Sequence, residues 1–244
     1  MLAVDLHAHT RFFHGHEDAA AAFDPLGVRL LAGVARARGL DGVALTNHDY
    51  YREFDLGGSE AFATTIPGVE VTTTHGHVLV VGPDPPRRTA PGELTPEETV
   101  ELAHDRGCVA IIAHPYRNST VRNVEADFDA IEVNGKHPRT EEWVRRLAET
   151  HDLPIVGGSD AHYPVEVGRA YTKLDLGTSG RPGAAELTPE AVVDAIRDGR
   201  VESRVSRGPI NRGVRWLYRE IHEDKGYLQR PEWAESPGVG EPPK

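Results

Sequence analysis

The chain predicts an α/β fold: a barrel-like, largely parallel sheet with a short helical extension at the C-terminal end. Three observations carry that expectation. Seven or so short apolar runs alternate with helical segments, an order that favours parallel strand pairing. Residues able to ligate metals stand just past several of those runs, where a strand-and-helix barrel gathers side chains at one end. The 244 residues are enough for one such domain with a sizeable core.

The elements follow in order. Leu2 to His7 reads as a first strand, running into His9 and Thr10. Arg11 to Phe23 reads as a loop carrying His14, Gly15 and His16. Asp24-Pro25 opens a helix, Asp as N-cap and Pro at the first helical position, with Leu26, Leu30, Leu31 and Val34 as its apolar face and Gly39 as its stop. Gly42 to Thr46 is a second strand, ending in Asn47-His48-Asp49. Tyr50 to Ala63 reads as loop and short helix. Ile66 to Val71 is a third strand holding Glu70, and His77 to Val81 a fourth. The Pro/Arg-rich stretch Pro83 to Pro91 is an exposed connection. Thr95-Pro96-Glu97-Glu98 is a capping box before a helix that Gly107 stops. Val109 to Ala113 is an apolar strand ending at His114-Pro115. Asp129 to Val133 carries Glu132, with Asn134 after it. Thr140 caps a helix with Trp143, Val144 and Leu147 on one side. Pro154 to Val156 leads into Gly158-Ser159-Asp160-Ala161-His162, and Ala170 to Leu176 closes the strand series. Thr188-Pro189-Glu190 starts a helix that Gly199 ends, and another covers Arg212 to Asp224. The expected division is a barrel over 1–176, a helical extension packed on it over 177–228, and a disordered tail over 229–244, rich in Pro, Gly and Glu.

Composition narrows the function. The formal net charge of -11 disfavours a surface built on phosphate attraction to nucleic acid, but not an anionic substrate beside bound cations. The single cysteine, Cys108, excludes an intrachain disulfide and reads as a small buried hydrophobe. The N-terminus lacks a basic n-region followed by an apolar h-region, and no apolar run approaches the roughly 18 residues of a membrane span. A soluble cytoplasmic protein is the expectation.

The histidines point to chemistry. On an extended backbone, residues i and i+2 share a face about 6.6 Å apart, so His7 and His9 can share a metal or serve adjacent ones. The spacing returns at His14/His16, His75/His77 and Asp160/His162. Of 13 histidines, only His222 lies beyond residue 162.

Five stretches then resemble, in order and spacing, the motifs of the PHP superfamily, the polymerase and histidinol phosphatase family of metal-dependent phosphoesterases. Asp5-Leu6-His7-Ala8-His9-Thr10 resembles D-L-H-x-H-[ST]. Leu45-Thr46-Asn47-His48-Asp49 resembles a motif that usually reads T-D-H-D. Gly68-Val69-Glu70 resembles G-[IV]-E, with His77-Val78-Leu79 as the H-[IV]-L that follows. Ala113-His114-Pro115 resembles A-H-P, and Gly158 to His162 resembles G-S-D-A-H. The matches cover about residues 4 to 172, and Ala195 to Arg200 resembles a C-terminal extension of some members. Two positions depart. His14 stands where many members place a ligand Asp, and Asn47 stands where Asp is usual, which points to altered support of the site.

The resemblance implies a distorted (β/α)7 TIM-like barrel with a two- or three-metal site at the C-terminal ends of its strands. The residues read alone agree: His7, His9, His14, His48, Glu70, His77, His114, Asp160 and His162 are nine ligand candidates, more than one tetrahedral ion needs. His16 substitutes if the loop is displaced. Mixed imidazole and carboxylate ligation favours zinc, manganese or iron. The expected function is hydrolysis of a small-molecule phosphate mono- or diester, with a metal-bound hydroxide as nucleophile. Arg117, three residues past His114, is the expected phosphate fork, with Arg11, Lys136 and Arg169 as weaker candidates. Asp49 is a candidate for proton transfer to the leaving group, and His137 for the mouth of the site. Two alternatives stand: an oligonucleotide-trimming member of the superfamily, against which the acidic balance weighs, and a non-catalytic binding module.

Overall fold

A computed structural model describes residues 1–10, 17–177, 187–206 and 208, without the side chains of residues 17–23 and 138. Arg11, His14, His16, the helix expected over Arg212 to Asp224 and the tail from residue 229 lie outside the described residues.

Among the described residues nine strands form one sheet: β1 Leu2–Ala8, β2 Gly42–Leu45, β3 Thr64–Thr73, β4 Gly76–Val81, β5 Val109–Ile112, β6 Ala130–Asn134, β7 Ile155–Gly158, β8 Ala170–Leu174 and β9 Val201–Val205. Their order is β7-β6-β5-β4-β3-β2-β1-β8-β9. The ends curl together. Ala8 bridges Ala161 in parallel, the Ser159 hydroxyl donates to the His7 carbonyl at 3.3 Å, and Gly157 N–H donates to Thr172 Oγ1 at 2.8 Å. The result is a nearly closed barrel with few helices, as the fold class required.

The pairing is not uniformly parallel. β1–β2, β2–β3, β5–β6 and β6–β7 are parallel, whereas β3–β4, β4–β5, β1–β8 and β8–β9 are antiparallel. Only β4 and β8 therefore run against the rest. The β3–β4 link is just Thr74 and His75, and a parallel pair needs a crossover of a dozen residues or more. This reversal matters for the site. It puts the beginning of β4, with His77, at the end of the barrel where the parallel strands finish.

Among the described residues four α-helices accompany the sheet: α1 Glu17–Ala37, α2 Pro96–Asp105, α3 Glu141–His151 and α4 Pro189–Arg197. The start of α1 differs from expectation. It begins at Glu17, and Pro25 lies inside it. The run Ala19 to Ala22 favours helix strongly, and Asp24 does not act as a cap. Its buried carboxylate accepts from Thr10 Oγ1 at 2.7 Å and from the Tyr50 hydroxyl at 3.0 Å. α1 lies so close to the exit of β1 that a Cβ on Gly27 would meet the Thr10 carbonyl carbon at 3.0 Å. α2 has its capping box, Thr95 Oγ1 accepting from Glu98 N–H and Glu98 accepting from Thr95 N–H, worth about 1 kcal/mol. Thr188 likewise caps α4. Thr140 does not cap α3: it has helical backbone angles, and its hydroxyl donates to the His137 carbonyl. Tyr50 to Ala63 holds no helix. The edge strand β9 goes unseen in the sequence because Glu202, Ser203 and Arg204 interrupt any apolar alternation.

The barrel interior is filled by Val4, Leu6, Ala44, Ile66, Leu79, Val109, Ile111, Ala130 and Val156, and α4 closes it from one side with Val192, Val193 and Ile196. A second cluster packs α2 and α3 on β3–β6, and a third packs α1 on β1 and β2. No helix among the described residues is long and apolar enough to cross a membrane.

Candidate metal centre

Eight of the nine expected ligands are described, and they converge at one end of the barrel; the ninth, His14, lies outside the described residues. His7 lies in β1 and His9 just beyond it, where its N–H donates to the Ala161 carbonyl at 2.8 Å. His48 follows β2 and is tied to β3 by two backbone bonds, Asp49 N–H to the Glu70 carbonyl and Glu70 N–H to the Asn47 carbonyl. Glu70 lies within β3, His77 begins β4, His114 follows β5, and Asp160 and His162 follow β7.

Glu70 is the hub. Its Oε2 lies 3.2 Å from His7 Nε2, 3.3 Å from His9 Nε2 and 3.2 Å from His48 Nδ1. Its Oε1 lies 2.7 Å from His77 Nδ1 and 3.0 Å from His114 Nε2. Asp160 faces it from β7, with Oδ1 3.3 Å from His9 Nε2 and 3.8 Å from His7 Nε2. His162 Nδ1 is 3.2 Å from Asp160 Oδ1, and its ring is 4.3 Å from that of His9. Three overlapping sets have ligand atoms mutually close enough for one ion: His9/His48/His162, His7/His9/Glu70 and His48/Glu70/His77.

Depth divides these residues. His7, Glu70 and Asp160 are fully buried and His9 and His114 nearly so, while the side chains of His48 and His77 are 31% and 26% exposed. His114 and Asp160 have left-handed backbones, φ 26° and 53°, and Asp49 shares that conformation at 59°. Such strain costs on the order of 1–3 kcal/mol per residue and persists only where surroundings impose it.

Charge is set by burial and neighbours together. Burial would raise the Glu70 and Asp160 pKa values, yet both carboxyls are held well below the usual range, Glu70 by His48, His77 and His7, Asp160 by Arg117, Lys136 and His7. Burial would lower that of His7, but Glu132, Glu70 and Asp160 outweigh it and raise it. His114 and His162 are pushed down to about 4, chiefly by burial, and so stay neutral at pH 7. A divalent cation requires neutral imidazoles and ionised carboxylates, so His114 and His162 are ready as they stand, whereas an ion at His7 would have to displace a proton.

The cationic candidates separate. Arg117 Nη1 meets Asp160 Oδ2 at 2.7 Å, and Lys136 Nζ meets Asp160 Oδ1 at 3.1 Å and His162 Nδ1 at 2.8 Å. Arg169 is instead buried beside Glu166, with Nη1 at 3.0 Å from Oε1, so it stands behind the site and not at its mouth. Asp49 borders the site, but its carboxylate accepts from Thr72 N–H, the Thr72 hydroxyl and the Thr89 hydroxyl. His137 is buried, and His75 sits in the exposed β3–β4 turn against Thr74.

Asn47 has a specific use. Its Oδ1 accepts from Thr10 N–H at 2.9 Å, and its Nδ2 donates to Thr10 Oγ1 at 3.0 Å. The hydroxyl's single proton is then free for Asp24. The Asn47 side chain anchors Thr10, just past His9, while its backbone carbonyl accepts from Glu70 N–H. Sequence reasoning passed over three buried carboxylates: Glu132 against His7 and His114, Glu166 accepting from His162 N–H, and Asp5 accepting from His7, Ser159 and Gly168 N–H. The signal available was a carboxylate inside or beside an apolar strand, where burial is costly without a partner.

Comparison with known proteins agrees with this architecture. The PHP-associated family model matches residues 140–201. An uncharacterized protein of Methanocaldococcus jannaschii is 29% identical over 152 residues, 57% of this chain and 84% of its own length. PsfC from Pseudomonas syringae superposes with a TM-score of 0.65 at 22% identity, over 92% of this chain and 98% of that one. A two-domain protein from Bacteroides vulgatus containing a predicted PHP-like metal-dependent phosphoesterase gives 0.52 at 18%, over 84% of this chain and 64% of that one. Endonuclease Q, in complex with a 27-mer duplex substrate with an abasic lesion at the active site, gives 0.53 at 17%, over 81% and 56%. At these identities the likeness is one of fold. The chain thus carries a PHP-associated segment and shares its barrel with these structures.

Proposed function

We propose that this protein is a metal-dependent phosphoesterase that hydrolyses a phosphate mono- or diester of a small molecule. One observation carries the reading: five imidazoles from four strands and their extensions gather on the two oxygens of Glu70, with Asp160 opposite. The donor set fits divalent cations. Glu70 Oε2 is buried and accepts no hydrogen bond among the described residues, although three imidazole nitrogens lie within 3.3 Å of it. A shared cation satisfies such converging lone pairs, whereas an unsatisfied buried carboxylate oxygen costs on the order of 1–3 kcal/mol or more.

The residues would hold two or three ions, with Glu70 and Asp160 as the carboxylates that could be shared between them, and the mix of imidazole and carboxylate favours zinc, manganese or iron. When bound, such ions supply an acidified water near neutral pH and positive charge for the non-bridging phosphate oxygens. Arg117 is the residue that holds the phosphate, through two parallel N–H donors, with Lys136 as a second positive charge beside it. Asp49 is the weaker candidate for proton transfer to the leaving group, since Thr72 and Thr89 already engage both its oxygens. Cys108 is no rival nucleophile: it is buried beyond the opposite end of β5, and burial raises its thiol pKa.

A second reading has one observation in its favour. Endonuclease Q, with a lesion-bearing duplex at its active site, shares the fold. The net charge of -11 weighs against a duplex substrate here. The test is to strip metal with a chelator, confirm removal by elemental analysis, and assay sugar and nucleoside monophosphates and small diesters against short RNA, DNA and an abasic duplex. Loss of turnover on stripping and its return with manganese or zinc on the small esters is the expected result. Unchanged turnover after verified metal removal would refute the reading, and preference for the oligonucleotides would favour the second.

A further inference from the structure

We propose that Glu132 is a positioning residue of the metal centre, fixing the ligand nitrogen of His7 and the backbone of His114 at once. The proposal rests on the metal-centre reading above and adds a residue to it. Glu132 lies in β6, 1% exposed. Its Oε1 is 2.8 Å from His7 Nδ1, and its Oε2 accepts from His114 N–H at 2.8 Å and from Asn134 Nδ2 at 3.2 Å. His7 and His114 come from different strands, β1 and β5; Glu70 meets both through their Nε2 atoms, whereas Glu132 meets His7 at Nδ1 and His114 at its backbone.

The two contacts do different things. An ionised carboxylate only accepts, so His7 Nδ1 carries the proton and donates it to Oε1. That leaves His7 Nε2, the nitrogen beside Glu70, His9 and Asp160, to present its lone pair. At His114 the contact is to backbone. The residue sits at φ 26°, a conformation that L side chains rarely adopt, and the bond to Oε2 is one of the restraints that hold it there. The surroundings are built for this reach. A Cβ on Gly158 would collide with Glu132 Oε1 and lie 2.5 Å from the His7 Cβ. Only glycine at 158 leaves the passage from β6 to β1 open.

Glutamine cannot replace the carboxylate. Its amide offers one acceptor and one donor group where two acceptors are used. If the oxygen faces His114 N–H, the NH₂ faces His7 Nδ1 and favours the tautomer with its proton on Nε2, which removes that nitrogen as a ligand. If the amide is turned, two donors oppose each other at His114.

The experiment uses the full chain. Metal-stripped parent, Glu132→Gln and Gly158→Ala proteins are titrated with zinc against a chromophoric chelator, with thermal melts of the stripped forms alongside. The zinc-loaded parent is also examined by ¹⁵N-histidine NMR. The parent is expected to bind zinc tightly, with His7 protonated on Nδ1 and metallated on Nε2. Both variants are expected to lose about 10–100-fold in zinc affinity, the range for an outer partner of a ligating histidine. Parent-like affinity in a folded Glu132→Gln protein would overturn the proposal, as would zinc on His7 Nδ1 in the parent, a measurement that needs no variant to fold. Failure of the parent to bind zinc or manganese would instead bring down the metal-centre reading, and this proposal with it.

Discussion

The centre has a floor and a rim, and they are built differently. The floor is His7, His9, His114 and Asp160, at most 4% exposed, each set by partners that are not themselves ligands. Glu132 holds His7 and His114, the Ala161 carbonyl holds the His9 backbone, and Arg117 and Lys136 flank Asp160. The rim is His48 and His77, about a quarter to a third exposed, both leaning on Glu70. His48 comes from the loop after β2 and His77 from the start of the reversed strand β4. The difference teaches which ligands are preorganised. On the proposed metal-centre reading, the floor residues have lost their rotamer freedom on folding, so binding an ion there would cost little further ordering, and the more exposed rim residues would keep more freedom.

The largest effect is expected from removing a floor ligand. His7→Ala or Asp160→Ala should lower metal affinity and turnover by more than about 100-fold, beyond what an outer partner costs, while melts of the stripped proteins change far less. Parent-like turnover in either variant at matched metal content would break the comparison at its root.

Next comes Asp5, which braces the floor from behind by accepting Ser159 N–H at 2.9 Å and Gly168 N–H at 2.7 Å. Burial raises its pKa from 3.8 to about 6 despite those bonds. The folded chain therefore holds this proton more tightly than the unfolded one, and stability falls as pH rises from about 4 through 6. The contribution lost is about 3 kcal/mol at 1.36 kcal/mol per pKa unit. Urea melts across that range should show the stripped parent losing about this much stability that Asp5→Asn does not lose. Equal losses would show that Asp5 is not the group responsible.

A smaller effect is expected at the rim. His48→Ala or His77→Ala should cost about 10-fold in turnover, within the low end of outer-partner effects, with the most tightly held ion retained. Losses as large as those at His7 would erase the distinction between floor and rim. The smallest effect is expected from Asn47→Asp. A second carboxylate would then share the Thr10 hydroxyl with Asp24, losing the Nδ2 donor and adding like-charge repulsion. About 1 kcal/mol of stability should disappear at pH 7, recovered on acidification, as thermal melts against pH can read.

Much of this site could be read before any folding was considered. Imidazoles spaced i, i+2 must share a face of a strand, and carboxylates just after apolar runs are costly to bury without a cation. Those rules pick out His7, His9, Glu70, Asp160 and His162 as they stand. Arg169 shows where such reading stops. An arginine seven residues after His162 looks available to a phosphate, yet it is buried against Glu166. Pro25 likewise marks a helix start by local rules, but the alanine run before it extends α1 back to Glu17.

Local chemistry alone pointed to the candidate ligand types and the strands that carry them, and it fixed the helix starts at Thr95 and Thr188, because periodicity and capping act over a few residues. Folding in three dimensions decided the direction of β4, the task of Asn47, and the meeting of Glu132 with a histidine 125 positions away. Such pairings depend on which strands lie side by side and in what register, and no short stretch of chain encodes that.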